Sequence, residues 1–153
     1  MIFVFGGAYQ GKLDFVKEKF GLSDNDIFNG DGSTCKFSQM GTVPLENLTT
    51  GTVPLAKEIL GSGVRCINGL DIWVRALVDN GADVDSVVNE FIDSINRKSK
   101  DIVIIMNDVS QGIVPMDPVE RAFREANGRT MIKLAREAEE VYRVFCGIGI
   151  KIK

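Results

Sequence analysis

An α/β domain with a largely parallel sheet flanked by helices follows from three features of this sequence. The first is Ile2 to Phe5, an apolar run of mostly β-prone residues that breaks into glycines and then into a helical pattern. The second is Asp101 to Asn107, DIVIIMN, continuous and β-branched between polar residues, as in a strand buried on both faces. The third is the alternation of such runs with helical patterns along the chain. The alternation closes on two adjacent strand-like runs, which predict an antiparallel edge. At 153 residues the chain is one domain's worth, so residues 1–153 are expected to form a single domain.

The first stretch carries the chemistry. Gly6, Gly11 and Lys12 fit G-x-x-x-x-G-K, the spacing of a phosphate-binding loop, and the motif stands between a strand and a helix as it requires. Glycines let the backbone curl so that successive N–H groups point at an anion. The positive end of the following helix adds to that field. Lys12 then meets the terminal phosphates as a point charge. The binding loop is thus Gly6, Gly7, Ala8, Tyr9, Gln10, Gly11, Lys12 and Leu13. Leu13 stands where the motif has Ser or Thr, whose hydroxyl holds Mg²⁺, so a Mg²⁺ site is in doubt from the sequence onward.

The helix after the loop places Phe15, Val16 and Phe20 on one side, and Gly21 is its C-cap. A polar turn spans Leu22 to Asp26, and Ile27-Phe28 is a short second strand. Asn29 to Ser33 is turn chemistry, and Ser33 to Thr50 has no sustained periodicity. Gly41-Thr-Val-Pro-Leu45 recurs as Gly51-Thr-Val-Pro-Leu55, too few copies for a solenoid. The second copy leads into a short helix, Pro54 to Leu60. Val64 to Ile67 is the third strand. Leu70, Trp73, Val74, Leu77 and Val78 show helical spacing, and Asn80-Gly81 stops that helix. Asp83 or Asp85 caps the next, whose apolar face is Val84, Val87, Val88, Phe91, Ile92 and Ile95. After the long strand, Asp117-Pro118 opens a helix lined by Val119, Ala122 and Phe123 and ended by Gly128. Arg129 to Glu140 forms a separate helix with Ile132, Leu134 and Ala135 in the core. Val141 to Phe145 and Ile148 to Ile152 are the closing strands, joined at Gly147.

Composition removes several functions. The net charge of −3 supplies no global basic field for nucleic acid. No stretch approaches the ~20 apolar residues of a membrane span, and the N-terminus lacks the pattern of a signal peptide. Cys35, Cys66 and Cys146 are odd in number and include no C-x-x-C, which suits a reducing cytoplasm rather than a disulfide framework or zinc site. The chain contains no histidine. That removes the usual general base, the commonest metal ligand and a phosphoryl-accepting nucleophile.

The C-terminal third resembles the adenosylcobinamide kinase / adenosylcobinamide-phosphate guanylyltransferase family of cobalamin biosynthesis. The resemblance rests on Asn107, Val109, Gly112 to Pro115, Arg121, Phe123, Arg124, Gly128, Arg129 and Gly147 to Lys153. The loop Gly6-Gly7-Ala8-Tyr9-Gln10-Gly11-Lys12-Leu13 is similar to the family's Gly-Gly-Ala-Arg-Ser-Gly-Lys-Ser. In the middle, Ile67-Asn68-Gly69-Leu70-Asp71-Ile72-Trp73 is similar to its Val-Asp-Cys-Leu-Thr-Leu-Trp. The resemblance implies a P-loop, RecA-like fold and a homotrimer. It also implies two activities, phosphorylation of adenosylcobinamide and GMP transfer through a guanylylated histidine.

Departures fall on the chemistry. The histidine is absent, Leu13 replaces the loop hydroxyl, and Asn68 replaces a carboxylate at the end of strand three. Asn107-Asp108 stands for the family's Asn-Glu. The expected site is therefore the loop with Asn68 for GTP or ATP, Lys12 and Asp108 for catalysis, and Asp108 or Asp71 for Mg²⁺. The partners implied are a nucleoside triphosphate and a corrinoid. Two functional readings follow: a kinase that has lost guanylyl transfer, or a non-catalytic nucleotide- or corrinoid-binding paralogue that works with another protein. A third, a scaffold that binds no nucleotide, leaves Lys12 without a role.

Overall fold

The computed structural model describes residues 1–30, 63–98 and 101–153. The expectations for the turn beyond Gly30, for 33–50, for the repeat and for a helix over 54–60 lie outside the described residues. Strand β1 (Ile2–Gly6) runs into the glycine loop and helix α1 (Lys12–Phe20). A single 3₁₀ turn, Asp24–Asp26, leads to β2 (Ile27–Asn29). Then come β3 (Cys66–Asn68), α2 (Leu70–Asp79), α3 (Val84–Lys98) and β4 (Val103–Asn107). A long helix, α4 (Pro118–Glu137), precedes β5 (Glu140–Phe145) and β6 (Ile148–Lys151).

The strands form one sheet in the order β2-β3-β4-β1-β5-β6. All neighbouring pairs are parallel except β5 with β6, the antiparallel edge that the sequence predicts. β1 lies directly beside β4, with Ile2 opposite Val103 and Gly6 opposite Asn107. The two runs that first indicated the fold are thus its central pair. This is the α/β architecture of a P-loop nucleotide-binding fold.

Alternation along the strands sorts the core into two layers, because successive side chains point to opposite faces. Phe3, Ile67, Ile104, Met106 and Val141 pack with α2, α3 and α4, where Trp73 meets Phe91 at a ring-centroid distance of 5.1 Å. On the other face Val4, Cys66, Val103, Ile105, Tyr142 and Val144 pack with Val16 of α1, and Leu13, Phe15 and Phe20 lie against that layer. Helices therefore cover both faces.

The main correction concerns Gly128. It does not end a helix: α4 continues through it to Glu137. Ala126, Asn127, Thr130 and Leu134 are buried on both sides of the glycine, and that continuous face outweighs the ~1 kcal/mol of helix propensity a glycine forgoes. The stripe shifts accordingly. Val119, Ala122 and Ile132, expected in the core, are exposed. Asp117 caps the helix as expected, its Oδ1 accepting from Val119 N at 2.7 Å. At α3 the cap is Asp83, whose Oδ1 accepts from Ser86 N at 3.2 Å. Asp85 instead pairs with Lys133 at 2.7 Å and Arg129 at 3.2 Å, tying α3 to α4. The third strand begins two residues later than expected, since Arg65 N bonds to the turn carbonyl of Asp26 at 2.9 Å before the ladder starts.

Candidate functional site

A cleft of about 430 Å³ opens at the carboxyl ends of the strands. In open α/β sheets that end is where ligands bind. Its walls are Ala8 to Asp14 of the loop and α1, the strand-end asparagines Asn29, Asn68 and Asn107, and Gly30, Gly69 and Ile72.

The loop shape is imposed by its neighbours. A Cβ on Gly6 would lie 2.2 Å from Val144 O, so the end of β1 admits only glycine there. Gly11 has φ 77° and faces Gly147, whose Cα is 3.2 Å from where its Cβ would be. The turn joining β5 to β6 holds the loop from outside. Cys146 N donates to Gln10 Oε1 at 2.7 Å, and Gly147 N donates to Gln10 O at 2.9 Å. Cys146 and Gly147 have φ 49° and 79°, the left-handed pair that a two-residue hairpin turn needs. On the inner side Asp108 N donates to Gly6 O at 2.9 Å. Among the described residues no side chain caps α1, which leaves its first-turn N–H donors open to an outside acceptor.

Lys12 is buried at 8% exposure and donates from Nζ to Gly7 O at 2.6 Å. Burial lowers its pKa from the usual lysine value, and the negative charge of Asp71 works against that shift. A cation held in a cleft with one carbonyl partner among the described residues is poised for an anion. Tyr9, at φ 58°, is fully exposed at the rim. Leu13 is half-buried, packed on the α1 layer while also lining the cleft.

Ala8 to Leu13 and Asn68 thus come together, with Gly6 and Gly7 at the base of the loop. Asn68 donates from Nδ2 to Asn29 Oδ1 at 2.8 Å, bracing β3 against β2. The two carboxylates stand elsewhere. Asp71, 7% exposed, gives both oxygens to Asn107: Oδ1 accepts from Asn107 N at 3.1 Å and Oδ2 from Asn107 Nδ2 at 2.9 Å. Asp108 caps the turn after β4. Its Oδ1 accepts from Ser110 N at 2.9 Å and its Oδ2 from Gln111 Nε2 at 3.1 Å. Burial works to raise the Asp108 pKa, yet hydrogen bonds from Ser110 and Gln111 and the charge of Arg143 bring it below the usual carboxylate value. Among the described residues no group of three His, Cys, Asp or Glu side chains is placed to hold a metal. With Leu13 in the loop and both candidate carboxylates engaged by N–H donors, the donor set among the described residues does not fit a protein-held Mg²⁺.

Asp14, Asn29, Gly30, Gly69, Ile72 and Asn107 were not anticipated as site residues. A signal for two of them was available, because Asn29 and Asn107, like the expected Asn68, each end a parallel strand on the ligand-binding side. Gly30 sits so close to β3 that a Cβ there would meet Gly69 O at 2.4 Å. The three arginines that help to carry the family resemblance are used structurally. Arg121 donates to Pro115 O at 3.1 Å, and Arg124 donates to Ile113 O at 2.9 Å and Gly112 O at 3.0 Å. They fasten the 110–116 segment to α4. Arg129 pairs with Asp85 and Glu125.

Fold and cleft together define an α/β protein of the P-loop class. The finer class comes from comparison with known proteins. Residues 49–152 match the family described as cobinamide kinase / cobinamide phosphate guanyltransferase, and the chain belongs to that family. It is 39% identical over 109 residues to the bifunctional adenosylcobalamin biosynthesis protein CobU of Salmonella typhimurium, covering 71% of this chain and 56% of that protein. It is 37% identical over 70 residues to the protein of the same name from Escherichia coli, covering 46% of this chain and 39% of that one. The chain spans about half the length of the curated relatives it matches.

Proposed function

We propose that this chain is a nucleoside-triphosphate-dependent phosphotransferase of the cobinamide family that lacks the guanylyl-transfer step. The observation that carries the reading is the position of Lys12, buried in a cleft between the glycine loop and the strand-end asparagines. GTP or ATP binds with its terminal phosphates at Lys12 and at the N–H groups of Gly6 to Leu13. Phosphoryl transfer is mostly positioning and charge neutralisation, which Lys12 and the helix end supply. A guanylylated histidine intermediate has no residue to form on, because the chain has no histidine. The acceptor in this reading is a corrinoid, adenosylcobinamide, and residues 1–153 act as a single domain within a cytoplasmic homo-oligomer, a trimer by resemblance. Among the described residues no helix is long and apolar enough to cross a membrane.

The second reading is a non-catalytic nucleotide- or corrinoid-binding paralogue working with a partner. Leu13 and the lack of a cation-holding cluster among the described residues favour it. Calorimetric titration with GTP and ATP, with and without Mg²⁺, followed by a turnover assay with cobinamide, separates the two. Binding with turnover supports the kinase, and binding without turnover supports the paralogue. Absence of any triphosphate binding removes both nucleotide readings.

A further inference from the structure

Asp71 is a buried carboxylate that the nucleotide contact does not use. It stands in the first turn of α2, and both of its oxygens are occupied by one residue, Asn107 at the end of β4. A carboxylate only accepts hydrogen bonds. The contact therefore decides the orientation of the Asn107 amide: its NH₂ faces Asp71 and its carbonyl Oδ1 faces away. The backbone is fixed as well, since Asn127 donates from Nδ2 to Asn107 O at 3.0 Å. Asn107 lines the cleft together with Lys12. Among the described residues no donor reaches its Oδ1, and that atom is not among the buried atoms left without a partner. Asn107, a cleft-lining residue like Lys12, thus carries a fixed acceptor oxygen with no partner among the described residues.

Phosphate oxygens are themselves acceptors and gain nothing from such a group. An O–H does. We propose that Asp71 is a positioning residue that holds Asn107 Oδ1 as the hydrogen-bond acceptor for the alcohol to be phosphorylated. The proposal rests on the kinase reading above and names the residues that would receive the second substrate. In the step itself, the alcohol oxygen forms a bond to the terminal phosphorus. The bond from that phosphorus to the bridging oxygen breaks, the nucleoside diphosphate leaves, and the alcohol proton passes to solvent. The amide is too weak a base to take that proton. It aligns the O–H, while Lys12 neutralises the charge on the transferred group.

The test uses the full chain, a non-hydrolysable GTP analogue and cobinamide as the alcohol. Asp71→Asn supplies an amide NH₂ that turns Asn107 Oδ1 away from the cleft. Asn107→Ser keeps a donor for Asp71 and withdraws the acceptor. Both variants are followed by melting temperature, so that if either fails to fold the other decides. Triphosphate affinity is expected to stay within threefold of wild type, while cobinamide affinity in the presence of the analogue falls at least tenfold. Equal cobinamide affinity in wild type and folded variants overturns the proposal, as does an equal loss for both ligands. Phosphate release from GTP without cobinamide that falls in parallel in both variants, with cobinamide affinity unmoved, assigns the oxygen to water and also overturns it. A wild type that takes up triphosphate but not cobinamide sinks this inference and leaves the nucleotide reading standing. Cobinamide binding that both variants weaken, in a protein that takes up no triphosphate, removes the nucleotide reading and with it the phosphorylation of the alcohol, and so overturns the proposal by a different route.

Discussion

Lys12 and Leu13 are neighbours with opposite consequences for an incoming triphosphate. The Lys12 ammonium has one carbonyl partner, Gly7 O, and burial has already lowered its pKa. In the proposed function a triphosphate replaces that carbonyl with a charged acceptor. Lys12→Ala is expected to weaken triphosphate binding by roughly 1.5–3 kcal/mol, the range for hydrogen bonds to charged groups. Monophosphate binding suffers less, and calorimetry on both ligands checks it. The sign of the pH effect follows from the depressed pKa. The charged form is the binding form, so affinity falls as pH rises through the Lys12 pKa, at lower pH than an ordinary lysine would give. Affinity that stays flat up to the usual lysine range would exclude Lys12 as the ligand. Leu13 divides its side chain between the α1 layer and the cleft. Leu13→Ser loses only part of a buried leucine, roughly 1–2 kcal/mol of stability. In exchange it returns a hydroxyl to the cation position, so nucleotide binding is expected to become Mg²⁺-dependent where wild type is not. A variant with a lower melting temperature and no Mg²⁺ response defeats this.

Elements were legible where one local signal dominated. The run Asp101 to Asn107, the Asp117-Pro118 start and the Asn80-Gly81 stop each have such a signal, and each is found in place, the run as the strand Val103–Asn107. Gly128 was misread because a glycine advertises a helix end locally, whereas its real setting is decided by burial of Ala126, Asn127 and Thr130, which lie within two residues of it. Gly149 is the opposite case. Nothing in a four-residue strand marks it, yet a Cβ there would stand 2.1 Å from the Phe15 ring of α1. A paired measurement tests the distinction. Gly128→Ala meets no atom within 4 Å and keeps helical geometry, so it is expected to stabilise the fold by roughly 0.5–1 kcal/mol. Gly149→Ala must displace an aromatic ring and is expected to destabilise by roughly 1–3 kcal/mol, the overpacking range. Denaturant midpoints of the two variants moving in the same direction would contradict this account. The site was legible in the loop for the same reason of strong local spacing. Asn29 and Asn107 were not read as site residues, since only the assembled sheet brings three strand ends into one wall.

At the scale of the molecule, the glycine loop is held between two distant parts of the chain. The end of β4 supports it from inside through Asp108 N to Gly6 O, and the β5–β6 turn supports it from outside through Gln10. The two supports flank the central strand, since the sheet order sets β4 on one side of β1 and β5 on the other. A ligand that fixes the loop must therefore also quiet the hairpin turn, more than 130 residues away in sequence. Saturating triphosphate at about 100 times its Kd raises global stability by ~2.7 kcal/mol. Amides that exchange by local opening gain protection only if the ligand closes that opening. The amides of Cys146 and Gly147, which bond to Gln10, are expected to gain hydrogen-exchange protection on triphosphate addition beyond that of Ile148 N in the adjoining strand. Gln10→Ala removes the side-chain half of the clasp and keeps the bond from Gly147 N to Gln10 O. It is expected to abolish the gain at Cys146 N, to preserve most of it at Gly147 N, and to weaken triphosphate binding by about 0.5–1.5 kcal/mol. Its effect on melting temperature is small, because one exposed hydrogen bond is lost and no apolar packing. Hairpin amides that respond identically in wild type and Gln10→Ala would show that the turn follows the ligand through the strands rather than through Gln10.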